Sequence, residues 1–411
     1  MSNFWLIGLI GPIQPSLAGD KRTVFSIRTY NAISPTGLAR FNSSHYSVSA
    51  ESPEPAGVLL RSYKLTTDEL PDTVVAVARA GAGTNNVPIP QLTERGIVVF
   101  NTPGANANAV KELICAGLMM SSRDIFGGLK FVDELAGHPA DDLDPLLESE
   151  KKRFAGSEIY GKTLGIVGLG AIGSLVANMA LDLGMRVIGY DPAISIEAAW
   201  RLSSRVVKMP SLDTLLRDAD YITLHVPAIE ATKNMINSGS ISRMKNGVKL
   251  LNFARKEIVD ANDVISALDT GKMGGYVTDF PTPELIGHPK VLPMPHIGAS
   301  TGEAEDNCAV MAADQLIDFL ENGNIKNSVN FPDTSMARGS DFRLTFSNSN
   351  VPNVLSTVLA HISATGANVI DLVNQSRNEI AYNIMDLDQS VTNELLDVIS
   401  NLEGVIRVRR V

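Results

Sequence analysis

The feature that most constrains this chain's fold is an apolar run from Thr163 to Val167. It ends on Gly168-Leu169-Gly170-Ala171-Ile172-Gly173 and opens into a helix-like stretch, Ser174 to Leu183. Between a strand and a helix each glycine has a physical task. The first permits a tight turn, the second lets backbone approach a pyrophosphate, and the third lets helix and strand pack closely. The helix N-terminus adds free N–H groups and a positive dipole end. Gly168, Gly170, Ala171, Ile172 and Gly173 are therefore expected to hold a dinucleotide. Asp191 stands eighteen residues after Gly173, at the end of the next expected strand. Its carboxylate is placed to accept from ribose hydroxyls and to repel a 2′-phosphate, which favours NAD over NADP.

Strand-like and helix-like segments alternate on both sides of this motif, the rhythm of parallel α/β sheets. Before it come apolar runs from Val24 to Ile27, Val58 to Leu60, Val74 to Val77 and Ile97 to Asn101, then a helix from Asn108 to about Ser122. The stretch from His138 to Phe154 is polar, without a clear period, and reads as a connection. Further strands are expected at Met185 to Tyr190, Tyr221 to His225, Val248 to Asn252 and Tyr276 to Thr278, and a long helix from about Glu303 to Glu321. A Pro-, Gly- and Ser-containing stretch, Asn330 to Ser340, reads as a linker. Beyond it the order βαββαβ describes a ferredoxin-like unit. The expected architecture is two doubly wound α/β domains plus this unit. Residues 23–110 and 297–330 form a discontinuous substrate domain, 111–296 a nucleotide domain and 341–411 the C-terminal domain.

A length of 411 residues supports several domains, and 44% apolar with 19% charged residues fits a packed globular chain. The net charge of -10 argues against nucleic acid or an anionic membrane as partner. No apolar run reaches the roughly 18 to 20 residues of a membrane span. Cys115 and Cys308 lie in apolar surroundings without metal-ligand spacing, so no metal site is expected and a reducing, cytoplasmic setting fits. Residues 1–22 read as an extension. Phe4 to Ile13 is apolar but lacks a preceding Lys or Arg and is broken by Pro12 and Pro15, with organellar targeting left open.

Chemistry on a hydroxyl group with a nicotinamide needs a base, a group that sets the base's pKa, and a cation for the substrate's oxygens. His296, Glu284 and Arg255 follow the glycine motif and supply these types. The pattern resembles the D-isomer-specific 2-hydroxyacid dehydrogenase family, in the form with a C-terminal ACT domain. The matching segments are Leu60-Arg61-Ser62, Asn101-Thr102-Pro103, Asn106, the glycine motif, Leu224-His225-Val226-Pro227, Asn252-Phe253-Ala254-Arg255, Val259-Asp260 and Pro295-His296-Ile297-Gly298-Ala299-Ser300-Thr301.

The resemblance implies that His296 takes the hydroxyl proton, Glu284 holds the imidazole and Arg255 clamps the carboxylate. It also implies that Asp279 meets the carboxamide of NAD, and that His225, Pro227, Phe253, Ala254, Gly298 and Ala299 line the cofactor. Two departures stand out: Lys256 replaces the usual glycine after the arginine, and in Asp279-Phe280-Pro281-Thr282-Pro283-Glu284 the phenylalanine is shifted by one position.

On the substrate side Arg61, Lys64 and Arg79 stand at the ends of expected strands, where ligands of α/β sheets gather, and supply cations for a phosphate, while the resemblance adds Ser62, Gly81, Ala82 and Asn106. The implied substrate is 3-phosphoglycerate, oxidised to 3-phosphohydroxypyruvate on the route to L-serine. The C-terminal domain is expected to bind an effector, L-serine, through Asn348, Asn350 and Asn368, in a homodimer or homotetramer. Reduction of glyoxylate or hydroxypyruvate, and an NAD-sensing corepressor-like role, remain alternatives.

Overall fold

The computed structural model describes residues 24–411, so the expectations for residues 1–22 lie outside the described residues. The first sheet is wholly parallel, with strands β1 (Phe25–Tyr30), β2 (Tyr46–Ser49), β3 (Gly57–Leu60), β4 (Ala76–Arg79) and β5 (Val98–Phe100) in the order β2-β1-β3-β4-β5. β3 is buried along its whole length, as a parallel strand covered on both faces must be. One face packs on the helix Gly302–Asn322 through Ala309, Ala313, Leu316 and Phe319. The other is covered by Leu65, Leu70 and Leu92.

The helix Ala107–Ser122 leads away from this sheet. Its Val110, Ile114 and Leu118 join a core with Leu164, Ile166, Val176 and Ala180. The second sheet comprises β6 (Thr163–Val167), β7 (Arg186–Tyr190), β8 (Val207–Lys208), β9 (Tyr221–Leu224), β10 (Val248–Asn252), β11 (Met273–Thr278) and β12 (Val291–Pro293), in the order β12-β11-β10-β9-β6-β7-β8. β6 lies between β7 and β9, so strand order reverses there. The loop after β6 opens into the resulting crevice, where ligands of such sheets bind.

The third sheet is antiparallel, with β13 (Phe342–Ser349), β14 (Val369–Arg377), β15 (Ile380–Leu387) and β16 (Val405–Arg410) in the order β14-β15-β13-β16. The helices Val354–Ala364 and Asn393–Ser400 complete the βαββαβ order, and Val358, Ile362 and Ile399 pack on one sheet face with Leu344, Phe346 and Met385. The other face docks on the first domain. Tyr382 and Ile384 share its core, Arg407 donates to the carbonyls of Val74 (2.7 Å) and Asp72 (2.6 Å), and the Arg409 guanidinium lies 4.1 Å from the centre of the Phe319 ring.

Two expectations are corrected here. The stretch from 138 to 154 is no irregular connection: it holds the helix Ala140–Glu150 and a 3₁₀ turn, Lys151–Phe154, after a further helix, Ile125–Glu134. The stretch from 330 to 340 is no loose linker, because Phe331 is fully buried and Thr334 pairs with Ile325.

Candidate active site

Gly168 has φ +91°, in the left-handed region where a side chain is strained, and a Cβ there would lie 2.7 Å from the carbonyl oxygen of His225. A Cβ on Gly173 would lie 2.0 Å from the carbonyl oxygen of Gly168, so helix and strand meet only because this residue has no side chain. Around Gly170 a Cβ would meet nothing within 4 Å, which leaves its backbone open to a ligand. Gly170 caps the helix Ala171–Asp182 without a side-chain hydrogen bond, so the first-turn N–H groups at Ala171 and Ile172 face the same opening. The turn thus fits a pyrophosphate.

Asp191 follows β7. Its carboxylate accepts from the amides of Leu169 (2.8 Å) and Ala193 (2.9 Å), tying the glycine turn to the neighbouring strand end. His225 follows β9, with Nε2 3.0 Å from Thr223 Oγ1 and Nδ1 enclosed without a partner. Burial pushes its imidazole down to about 3, so the ring is neutral near pH 7. Pro227 is exposed beyond it.

Arg255 is held from behind. Asn252 is fully buried at the end of β10; its Nδ2 donates to the Arg255 carbonyl (2.8 Å) and its Oδ1 accepts from the Ala254 amide (3.1 Å). Phe253 and Ala254 are buried, whereas Arg255 is exposed and extended, with φ -157°. Its guanidinium reaches the first domain, with Nη2 3.4 Å from the point where Gly83 would carry a Cβ. Lys256 opens the 3₁₀ turn Lys256–Ile258 and is absent from the positive-φ residues, so this turn needs no glycine.

Asp279 is 2% exposed, and its carboxylate oxygens accept from the amides of Ile297 (2.8 Å) and Gly298 (2.7 Å). The end of β11 thereby fixes the loop that carries His296. Gly298 is buried, and Ala299 packs against the core beside the glycine turn. His296 itself is exposed, with φ +57°. Its ring centre lies 4.5 Å from that of Phe280, and the Arg255 guanidinium lies 5.4 Å from the same phenyl ring. Glu284 is exposed in the 3₁₀ turn Pro283–Leu285. The nearby Thr282 and its own backbone amide hold its carboxyl below the usual range. The structure does not bring Glu284 into a hydrogen bond or ion pair with His296; Phe280 is the side chain against the imidazole.

Across the cleft Arg61 pairs with Glu305, Nη2 to Oε1 2.7 Å. Arg79 is half-buried against Gly81, and its Nε donates to the Arg61 carbonyl (3.1 Å). Burial, with the adjacent Arg61 and Arg255 charges, pulls its guanidinium below its ordinary value. Among the described residues no carboxylate lies in ion-pair reach of Arg79. The Gly81 carbonyl accepts from the Thr102 amide (3.1 Å) and the Ala82 carbonyl from Asn101 Nδ2 (2.6 Å), which fixes the loop at the end of β4. Ser62 and Lys64 are exposed, and among the described residues Lys64 makes no ion pair; Asn106 caps the helix Ala107–Ser122. Asn252, Phe280 and Glu305 escaped sequence reasoning. Asn252 carried a signal in the segment that resembles the family and Phe280 in its shifted place, but neither pattern told the contacts each side chain makes.

Two parallel sheets facing each other across a glycine turn, with an arginine and a histidine between them, define a dinucleotide-dependent dehydrogenase fold. A family profile described as "D-isomer specific 2-hydroxyacid dehydrogenase, NAD binding domain" matches residues 138–298. The chain is 32% identical over 349 residues to a D-3-phosphoglycerate dehydrogenase of Haemophilus influenzae, covering 82% of this chain and 81% of that one. It is 36% identical over 289 residues to a D-3-phosphoglycerate dehydrogenase of Synechocystis, covering 68% and 50%. A solved structure of the NAD+-bound 3-phosphoglycerate dehydrogenase of Entamoeba histolytica superposes with a TM-score of 0.58 at 26% identity, covering 75% of this chain and 99% of that one. The chain belongs to the D-isomer specific 2-hydroxyacid dehydrogenase family, and its second sheet is that family's NAD-binding domain. It spans about half the length of several curated relatives it matches, the Synechocystis protein among them.

The asparagines expected at an effector do not gather within one copy. Asn348 is buried, donates to the Ser349 carbonyl (2.7 Å) and accepts from Asn383 (2.8 Å). Asn350 donates to the Asn378 carbonyl (3.0 Å) at one end of the sheet. Asn368 is exposed at the other end, where its amide donates to Asp388 (2.9 Å). Among the described residues no helix is long and apolar enough to cross a membrane.

Proposed function

We propose that the chain oxidises 3-phospho-D-glycerate to 3-phosphohydroxypyruvate with NAD. The observation that supports this reading most is that Arg79 packs on Gly81 and donates to the Arg61 carbonyl, while the Arg255 guanidinium from the second sheet reaches the neighbouring Gly83 and shares the Phe280 ring with His296. A substrate with a carboxylate at one end and a phosphate at the other meets guanidinium groups from both domains, and Arg forks suit both anions. Bound NAD supplies the hydride acceptor for C2. Arg255 holds the carboxylate and the developing carbonyl, and His296 receives the hydroxyl proton at an imidazole nitrogen. Asp279 keeps that imidazole's loop in place through two backbone amides. Among the described residues the N–H groups of Ala82 and Gly83 donate to no backbone carbonyl, and they suit the substrate's carboxylate. The test is NADH formation from NAD and 3-phosphoglycerate at alkaline pH, where release of the proton favours oxidation. No NADH under those conditions rejects the reading.

The C-terminal domain fits an amino-acid effector such as L-serine bound between two copies. β14 is an edge strand with Ile370 exposed. Antiparallel pairing of two such edges would set the Asn350 turn of one copy beside Asn368 of the other. Calorimetry with millimolar L-serine tests this; no heat would leave the domain an assembly module. Both cysteines are unpaired, which fits the cytoplasm.

A further inference from the structure

The side chain touching both reactive groups is an uncharged one that the pattern of acid, base and cation does not include. Phe280 is half-buried just past β11, with its ring against the His296 imidazole and the Arg255 guanidinium. The backbone on both sides of it is fixed. Asp279 before it is anchored to Ile297 and Gly298, and the Phe280 amide donates to the fully buried Thr278 (Oγ1, 3.0 Å). Pro281 after it restricts Phe280 to extended geometry. The ring therefore has little freedom to leave the site. His296, by contrast, sits at φ +57° and makes no side-chain hydrogen bond or ion pair among the described residues, so ring contact is what restrains its imidazole.

From this geometry we infer that Phe280 is a positioning residue, holding the His296 imidazole and the Arg255 guanidinium against one aromatic ring where an ionised acid would otherwise orient the base. The inference rests on the function proposed above. A phenyl face attracts cations, so the ring holds the guanidinium on one side and packs against the imidazole on the other, a common neutral neighbour for both. Reduction of a 2-keto acid needs the imidazolium, because the carbonyl oxygen takes its proton as hydride reaches C2. In a site whose phenylalanine stood one position later, the side chain would leave the extended strand end on its opposite face.

The test is steady-state reduction of 3-phosphohydroxypyruvate by the full chain and NADH across about pH 5 to 9, the range over which a histidine titrates. Phe280→Leu is expected to lower kcat about ten-fold or more, with the KM for NADH within about two-fold. The KM for 3-phosphohydroxypyruvate should rise by less than kcat falls, since positioning acts on the reacting groups. Phe280→Tyr keeps the ring and should restore both readouts, which a merely structural role would not predict. If the leucine variant does not fold, Phe280→Met, a flexible side chain suited to irregular gaps, takes its place. A kcat within about three-fold of the unaltered chain, or a loss that falls on KM instead of kcat, overturns the inference while the functional reading stands. An unaltered chain inert toward every 2-keto acid overturns both.

Discussion

Arg61 and Glu305 form an ion pair of 2.7 Å that ties the end of β3 to the helix Gly302–Asn322. The charge of Arg61 is thus already shared, in a pair whose members are 40% and 42% exposed. Arg79 is deeper and, among the described residues, has no carboxylate partner, so in the proposed reading it is the stronger phosphate ligand. Losing one charge-assisted hydrogen bond costs about 1.5–3 kcal/mol, roughly 10- to 100-fold in binding. Arg79→Met should therefore raise the KM for 3-phosphohydroxypyruvate by that factor and leave hydroxypyruvate nearly unchanged, with Arg61→Met showing the smaller effect. Equal losses for both substrates in kinetic assays would remove the phosphate role.

His296→Ala should lower kcat about 10²-fold or more, the scale of a lost general acid or base, while NADH still binds by fluorescence. Glu284→Gln should cost less, under about ten-fold, because no contact joins Glu284 to the imidazole. A glutamine variant as impaired as the alanine variant would show that the two side chains meet during turnover.

Asp191→Ala should weaken NAD and narrow its advantage over NADP. The carboxylate that would repel a 2′-phosphate also braces the glycine turn through the Leu169 amide. Both cofactors should therefore bind less well in titrations, NAD by the larger factor. An unchanged preference would free Asp191 from cofactor selection.

How far this architecture was legible in the sequence differed by element. The glycine turn was readable because its glycines act within a single strand-turn-helix, where spacing alone fixes the contacts. The helix Ala140–Glu150 was not, because none of its residues is buried and Pro145 lies inside it, so no apolar stripe marks a period. β8 is two exposed residues, too short to alternate. The stretch from 330 to 340 has linker composition, yet one fully buried side chain, Phe331, docks it. Arg255 and His296 stood out by residue type and setting. The Phe280 contacts, the bracing of Arg255 by Asn252 and the Arg61–Glu305 pair arise only when distant loops fold together.

Arg343 and Asp386 test how firmly the C-terminal sheet is held. Both side chains are fully buried, and their ion pair is 2.6 Å from Nε to Oδ1. Arg343 also donates to the carbonyls of Asn322 (2.9 Å), Met336 (3.0 Å) and Ala337 (2.9 Å). Breaking such a pair from one side costs about 3–5 kcal/mol, so Arg343→Met should lower the melting temperature clearly. Burial raises the Asp386 carboxyl, but Arg343 and the Gly339 amide outweigh it and hold it below its ordinary value. A depressed folded pKa contributes stability above the unfolded value of about 3.9, lost as pH falls through the folded one. The unaltered chain should lose stability below about pH 4, where Asp386→Asn is flatter. Parallel acid curves in thermal melts would assign the pair no share.

Selectivity for the phosphate is read from kcat/KM for NADH oxidation with 3-phosphohydroxypyruvate, hydroxypyruvate and glyoxylate, measured side by side on the full chain. The phosphorylated substrate should exceed both others by about ten-fold or more, the worth of one charge-assisted contact to phosphate. Equal values for all three, or a preference for glyoxylate, would contradict it.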